Sequence, residues 1–161
     1  IQRLGVLTGE PERAAALTKR LQDQLAAVAA KLEKTKDRPK VFFEIRYPNL
    51  LGAGTASMVN DIIQRAGGVN CLNVPKKIAR LNLEAVIAAD PDVYLVQQGP
   101  MNPNPEKVTD RPNYGILRAV KDGRVLVVDE QLYSRPSPRA VAAVAQLARF
   151  LHPACFAEAK P

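Results

Sequence analysis

The sequence predicts an α/β fold: a three-layer lobe whose mostly parallel central sheet is flanked by helices, preceded by one long helix. Three observations lead there. Residues 40–45, 92–97 and 124–128 are short runs rich in Val, Ile, Leu and Phe, bounded by Pro, Gly and Asp, which is the pattern of buried strands. Between and after them apolar residues recur at three- and four-residue steps, the pattern of helices. Strands that alternate with helices form parallel sheets covered on both faces, because each crossover lays a helix against the sheet.

The long helix comes first. Leu17, Leu21, Leu25, Val28 and Leu32 fall at steps of four, four, three and four, so residues 10–36 carry one apolar stripe. Pro11 suits a first turn, Glu10 and Glu12 favour the positive end of the helix, and Lys31, Lys34 and Lys36 favour its negative end. A helix of this length, about 40 Å, bridges two lobes or packs along the side of one. Pro39 breaks it ahead of the first strand, and residues 46–56 form a loop rich in Gly and Pro. Ser57 then caps a helix with Met58, Val59, Ile62, Ile63 and Ala66 on one face, stopped by Gly67 and Gly68. Asn82 caps a shorter helix that buries Leu83, Val86 and Ile87 and closes at Asp90-Pro91. After the second strand, Pro100, Pro103, Pro105 and Pro112 make residues 99–114 a long irregular loop. Residues 116–120 form a short helical turn ahead of the third strand. Ser137-Pro138 opens the last helix, with Val141, Val144, Ala145, Ala148 and Leu151 inward. Ligands of such sheets bind beyond the carboxyl ends of the strands, which singles out residues 46–56, 97–114 and 129–135.

With 161 residues the chain fits one domain, able to bury roughly 70% of its unfolded surface. Aromatic residues make up 5% and Trp is absent, so Ala, Val, Leu and Ile must build most of the core. The net charge of +7 suggests nucleic acid or an anionic surface, yet the charge is spread thinly and no basic tract is interleaved with aromatics. Nucleic-acid binding is therefore set aside. A bare metal site needs several His or carboxylates converging, and His152, beside Pro153 at a helix end, is the only His. No catalytic motif is present: there is no GxSxG, Walker loop or Cys–His signature, and Gly52-x-Gly54-x-x-Ser57 lies in too long a loop for a dinucleotide turn. Cys71 and Cys155 lack metal-ligand spacing and stand either as two buried thiols or as a disulfide of an oxidising compartment. No run of about 18 apolar residues and no signal peptide are seen, and the start at Ile1 reads as that of a fragment.

Leu4-Gly5-Val-Leu-Thr-Gly9 ahead of the long helix, Val41-Phe-Phe-Glu-Ile45, Gly54-Thr-Ala-Ser57 and Ala66-Gly-Gly-Val-Asn70 follow one another along the first half. Leu83-Glu84 ahead of Ala89-Asp-Pro-Asp-Val93, Ala119-Val-Lys-Asp-Gly-Arg-Val125 and Arg135-Pro-Ser-Pro-Arg139 continue the series. This ordered set resembles the helical-backbone (class III) periplasmic binding proteins of ABC importers, of the iron–siderophore, haem or cobalamin type; only residues 99–114 lack a counterpart. The resemblance implies two α/β lobes joined by a long helix, with a ligand held between them and no catalysis. On that pattern residues 1–38 are the interlobe helix and its lead-in, residues 39–161 are the C-terminal lobe, and the N-terminal lobe is absent from this chain. The implied protein is extracytoplasmic, either periplasmic or lipid-anchored at the outer face of the cytoplasmic membrane. It has no cofactor of its own, takes a ferric siderophore, haem or cobalamin as ligand, and delivers it to an ABC permease in the membrane. Two other classes stay open. One is a flavodoxin-like nucleotide-binding or enzymatic domain, which needs a phosphate loop after Ile45. The other is a self-associating scaffold lobe, since an isolated lobe exposes apolar surface that favours dimers.

Candidate ligand-binding residues are Arg46, Tyr47, Gln131, Tyr133 and Arg135. Arg46 and Tyr47 directly follow the first strand, and an Arg fork suits a siderophore carboxylate, a haem propionate or a cobalamin phosphate. Arg135 ends a post-strand loop at the mouth of the last helix, where backbone N–H groups and a guanidinium make an anion site; as a plain surface residue it would pair with Glu130 or Asp129. The resemblance turns this position towards the ligand. Gln131 offers a hydrogen bond, and Tyr133 an aromatic face to a flat ligand unless it packs on the helix. Met101 and Asn102 join them from the long loop, a candidate lid. Glu84 lies beside its helix's apolar face and complements the helix dipole, an effect worth about 0.3–1 kcal/mol. By resemblance it is also the residue that docks onto the permease.

Overall fold

The computed structural model describes residues 1–157. Two helices open it: α1 (Gln2–Leu7) turns at Gly9, whose φ of +73° favours glycine, into α2 (Pro11–Leu32). A side chain at Gly5 would run into Ala14, so the missing Cβ is what lets the two helices meet. α2 stops at Leu32 rather than residue 36, because Glu33, Lys34, Thr35 and Lys36 offer no apolar side chain to bury. Its second half docks, with Val28 and Leu32 in the core and Leu25 packed against it. Leu17 and Leu21 remain half-exposed. On α1, Leu4, Val6 and Leu7 are 64%, 71% and 81% exposed.

The sheet contains β1 (Lys40–Arg46), β2 (Leu51–Ala53), β3 (Val69–Asn70), β4 (Ile78–Arg80), β5 (Val93–Gln98) and β6 (Val125–Asp129), in the order β4-β2-β1-β5-β6. β5 and β6 extend β1 in parallel, β3 pairs in parallel with the start of β1, and β2 and β4 run antiparallel. The three expected strands are the long ones. β2 lies in the stretch expected to be a loop, and β3 and β4 lie between Gly68 and Asn82, where the sequence predicts no element; two or three residues leave no legible periodicity. β1 leads into the hairpin partner β2, not through a tight turn into a helix, so the phosphate loop needed by a nucleotide-binding domain is missing at that point.

Helices cover both faces: α3 (Met58–Arg65), α4 (Leu83–Ala89), α5 (Arg118–Lys121), α6 (Glu130–Tyr133), α7 (Ala140–Leu151) and α8 (Pro153–Phe156). Strand alternation explains the two cores. Val41, Phe43, Ile45, Val93 and Leu95 pack with α2, α3 and α7 on one face, while Phe42, Tyr94 and Val96 pack with α4, α5 and the long loop on the other. The expected caps form: Ser57 Oγ accepts from Asn60 N at 3.2 Å, and Asn82 Oδ1 from Ala85 N at 3.1 Å. Ile87, expected inside, is 37% exposed; α4 is so short that Val86 is its only buried residue. α7 begins at Ala140, three residues later than Ser137 suggested. Cys71 and Cys155 are both free and half-buried, and burial pushes the Cys71 thiol up to about 12.

The loop 99–114 is anchored by a charge pair inside the sheet. Glu44, mid-β1 and fully buried, accepts from both terminal nitrogens of Arg111 at 2.5 and 2.9 Å and from the Tyr94 hydroxyl at 2.6 Å. The Arg111 guanidinium also donates to the Glu106 carbonyl at 2.7 Å and stacks 4.0 Å from the Tyr47 ring centre. Burial pulls the Arg111 pKa down, but hydrogen bonding to Glu44 and its negative charge more than offset this, and the net shift is upward. Burial and the same carboxylate hold the Tyr94 hydroxyl well above its ordinary range.

Candidate functional site

A hollow of about 380 Å³ opens near the carboxyl ends of the parallel strands β1 and β5, with Ala53 of the antiparallel β2 in its wall. Its walls are mostly apolar, with Ile45, Ala53, Val59, Met101 and Pro136 among them, and a few polar groups converge on it: Ser57, Lys77, Gln97 and Ser134. Apolar walls with a few placed polar groups are the usual make-up of a small-molecule site. Gln97 and Ser134 meet because the parallel strands β5 and β6 end at the same edge, while Ser57 and Lys77 come with the backbone-paired segments that follow β2 and precede β4.

Gln97 is the most constrained of them. Its side chain is fully buried near the end of β5, and its Oε1 accepts a short hydrogen bond from the Ser134 hydroxyl, while Nε2 has no partner among the described residues. Around it the backbone is tied down: the Gln97 carbonyl accepts from Asn102 Nδ2 at 2.9 Å. The buried Glu130 carboxylate accepts from Met101 N at 2.8 Å and pairs with Arg135 at 3.4 Å. Gly99 passes so close that a Cβ would meet the Glu130 side chain. Glu130 thus holds Met101 on one wall while Ser134 and Pro136 form another.

The sequence-derived candidates divide around this hollow. Arg46 reaches its side of the sheet through a bulge: Glu44 pairs with Gly52 but Arg46 with Leu51, so Ile45 and Arg46 together oppose Leu51. Paired residues share a face, and Leu51 packs on the α3/α7 core, so the bulge brings Arg46 round to the face of Ile45. Arg46 is half-exposed, its side chain makes no hydrogen bond or ion pair among the described residues, and it does not itself line the hollow. Tyr47 goes to the opposite core, with Arg111 over its ring and Tyr114 edge-on at 5.8 Å, and serves the loop clamp. Tyr133 is fully buried: its ring packs against Phe43 and its hydroxyl meets Gln146 Oε1 at 3.1 Å, so it offers no face to a ligand. Gln131, in the first turn of α6, is half-buried and does not line the hollow. Arg135 is exposed between two wall residues, but it precedes α7 by five positions, so the helix-start anion site expected there does not form. Met101 lines the hollow, whereas Asn102 is buried and spent on the Gln97 carbonyl. Glu84 is exposed in the first turn of α4, a helix whose Val86 packs on the Phe42/Tyr94 face of the sheet, and it does not line the hollow.

At the level of segments the sequence marks this place. Ala53, Ala56, Gln97, Met101 and Ser134 all fall within the post-strand stretches 46–56, 97–114 and 129–135. Gln97 and Ser134 were not chosen individually. The available signal was a polar residue closing an otherwise apolar strand.

Comparison with known proteins follows the same lines. A family model described as periplasmic binding protein matches residues 1–132. The uncharacterized ABC transporter substrate-binding lipoprotein YvrC of Bacillus subtilis (strain 168) is 27% identical over 161 residues, covering 98% of this chain and 50% of that protein. A protein named cobalamin-binding protein, from Halobacterium salinarum, is 27% identical over 156 residues, covering 92% of this chain and 42% of its own length. Among solved structures, the periplasmic heme-binding protein BhuT, in complex with two hemes, superposes with a TM-score of 0.80 at 26% identity, covering 96% of this chain and 60% of that one. The chain spans about half the length of the curated relatives it matches.

Proposed function

This chain belongs to the periplasmic binding protein family, and on that premise we propose that it is the substrate-binding component of an ABC importer, capturing a metal chelate or tetrapyrrole and delivering it to a membrane permease. The observation that carries this reading is the apolar hollow at the strand ends, with Arg46 on its side of the sheet and Arg135 beside it, on a rigid sheet. Its chemistry suits an organic ligand with oxygen groups at its edge better than a bare ion. The relative named ABC transporter substrate-binding lipoprotein supports the importer role, and the cobalamin-binding protein and the heme-bound neighbour support the ligand class.

On this reading α2 is the spine between two lobes and residues 39–161 form the C-terminal one. The exposed apolar side chains of α1 and the half-exposed leucines of α2 support it, being surface that a further lobe or a second copy would cover. The place of action is extracytoplasmic, as the similarity to a substrate-binding lipoprotein supports. Glu84 is the permease-docking residue, a reading that its exposure in the first turn of α4 supports.

The test is equilibrium binding of ferric siderophores, haemin and cyanocobalamin, followed by visible absorbance. One of them is expected to bind, with Arg46→Ala or Arg135→Ala weakening it about tenfold, as for loss of a charge-assisted hydrogen bond. Binding of nucleotide alone, or of nothing in the panel, would sink the proposal. A separate expectation concerns Glu84→Ala. It should change stability by under about 1 kcal/mol and leave cargo binding intact, yet abolish uptake in a transport assay. Normal uptake by that variant would remove Glu84 from the docking surface.

A further inference from the structure

Gln97 presents a donor without an acceptor. Its amide is fully buried in the wall of the hollow, the Ser134 hydroxyl occupies Oε1, and Nε2 is left without a partner among the described residues. A buried polar group in that state costs stability, and an apolar side chain of the same length would avoid the cost. We propose that Gln97 is a ligand-contacting residue whose Nε2 donates a hydrogen bond to an oxygen acceptor that the cargo carries on a short apolar arm. This subsite rests on the reading of the chain as a binding-protein lobe and names the chemistry of the cargo's edge.

Three features define the arm. Ile45, Ala53, Val59 and Met101 line the hollow together with Gln97, so an arm that enters it meets mostly apolar walls and is aliphatic. With the Ser134 hydroxyl donating to Oε1, the free end of the amide is Nε2, and an arm that meets it ends in an acceptor. Lys77 lines the same hollow and no carboxylate does, so a carboxylate is favoured over a neutral amide carbonyl. Both kinds of oxygen occur on tetrapyrroles, as propionates on haem and as amide-capped arms on cobalamin, and the two ligands separate the cases.

The experiment compares Gln97→Met and Gln97→Glu with the unsubstituted protein, measuring haemin and cyanocobalamin binding and, without ligand, the melting temperature. Gln97→Met should weaken binding about tenfold while moving the melting temperature by no more than about two degrees, since removing an unpaired buried amide offsets the loss of the Ser134 bond. Gln97→Glu should weaken haemin more than cyanocobalamin, because its carboxylate repels a propionate. Unchanged binding by Gln97→Met overturns the assignment, as does a melting temperature lowered by several degrees in step with the loss of binding, which would make Gln97 a structural residue. If the unsubstituted protein binds neither ligand, the tetrapyrrole subsite is overturned. If it binds no chelate at all, the receptor reading falls with it.

Discussion

Replacing Arg111 with Ala is expected to cost about 3–5 kcal/mol of folding stability, read as a shift of the urea midpoint. The cost comes from Glu44, not from the lost side chain. Both groups are fully buried, and the carboxylate receives two bonds from the guanidinium and one from Tyr94. Without Arg111 the carboxylate remains inside the sheet with Tyr94 alone, and an uncompensated buried charge is far more costly than a missing pair. Removing both charges tests this account: Glu44→Met with Arg111→Met should recover much of the loss. A double variant no more stable than Arg111→Ala would locate the effect in packing. The single variant should also free residues 99–114, since the guanidinium is what ties the Glu106 carbonyl and the rings of Tyr47 and Tyr114 to the sheet. Met101 is part of that loop, so the wall of the hollow should loosen, and cargo binding should weaken with it.

Gly54→Ala is expected to cost about 3 kcal/mol, because overpacking against backbone cannot be relieved by a rotamer change. Residues 54–56 are laced to 74–77 by backbone bonds, among them Thr55 N to the Val74 carbonyl at 2.8 Å and Gly54 N to the Lys77 carbonyl at 3.2 Å. A methyl group at Gly54 would overlap the Val74 and Lys76 carbonyl oxygens. The two segments would have to part, and both contribute to the hollow, through Ala53, Ala56 and Ser57 on one side and Lys77 and Ile78 on the other. A melting midpoint lower by about 6–12 °C follows for a chain of this size. Gly115→Ala is the control. Nothing lies within 4 Å of the added methyl and φ is not positive, so the midpoint should barely move. Equal effects at the two glycines would show that backbone freedom, not space, is what Gly54 supplies.

The Glu44–Arg111 pair also marks a limit of reading a sequence. Glu44 sits in an apolar strand where alternation gives it no special role, and its partner lies 67 positions away in a loop that follows no pattern. Tyr47 and Tyr133 illustrate the same limit from the other side. Each stands in a segment that ends near the hollow, yet the turn of a bulged strand sends one to the clamp, and the first turn of α6 sends the other into the core.

Local pattern was enough for whatever depends on neighbours in the chain: the three long strands, the stripe of α2, the caps at Ser57 and Asn82, and the edge of the sheet where a site belongs. Periodicity and capping act over a few residues, so they leave their mark in the order of side chains. Which side chains face the hollow was settled only by the fold. The short strands β2 and β4, the bulge at Arg46, the burial of Gln97 and the pinning of the long loop all arise from pairings between distant segments. Such pairings are decided by space and by the need to satisfy buried polar groups, and neither leaves a repeat in the sequence.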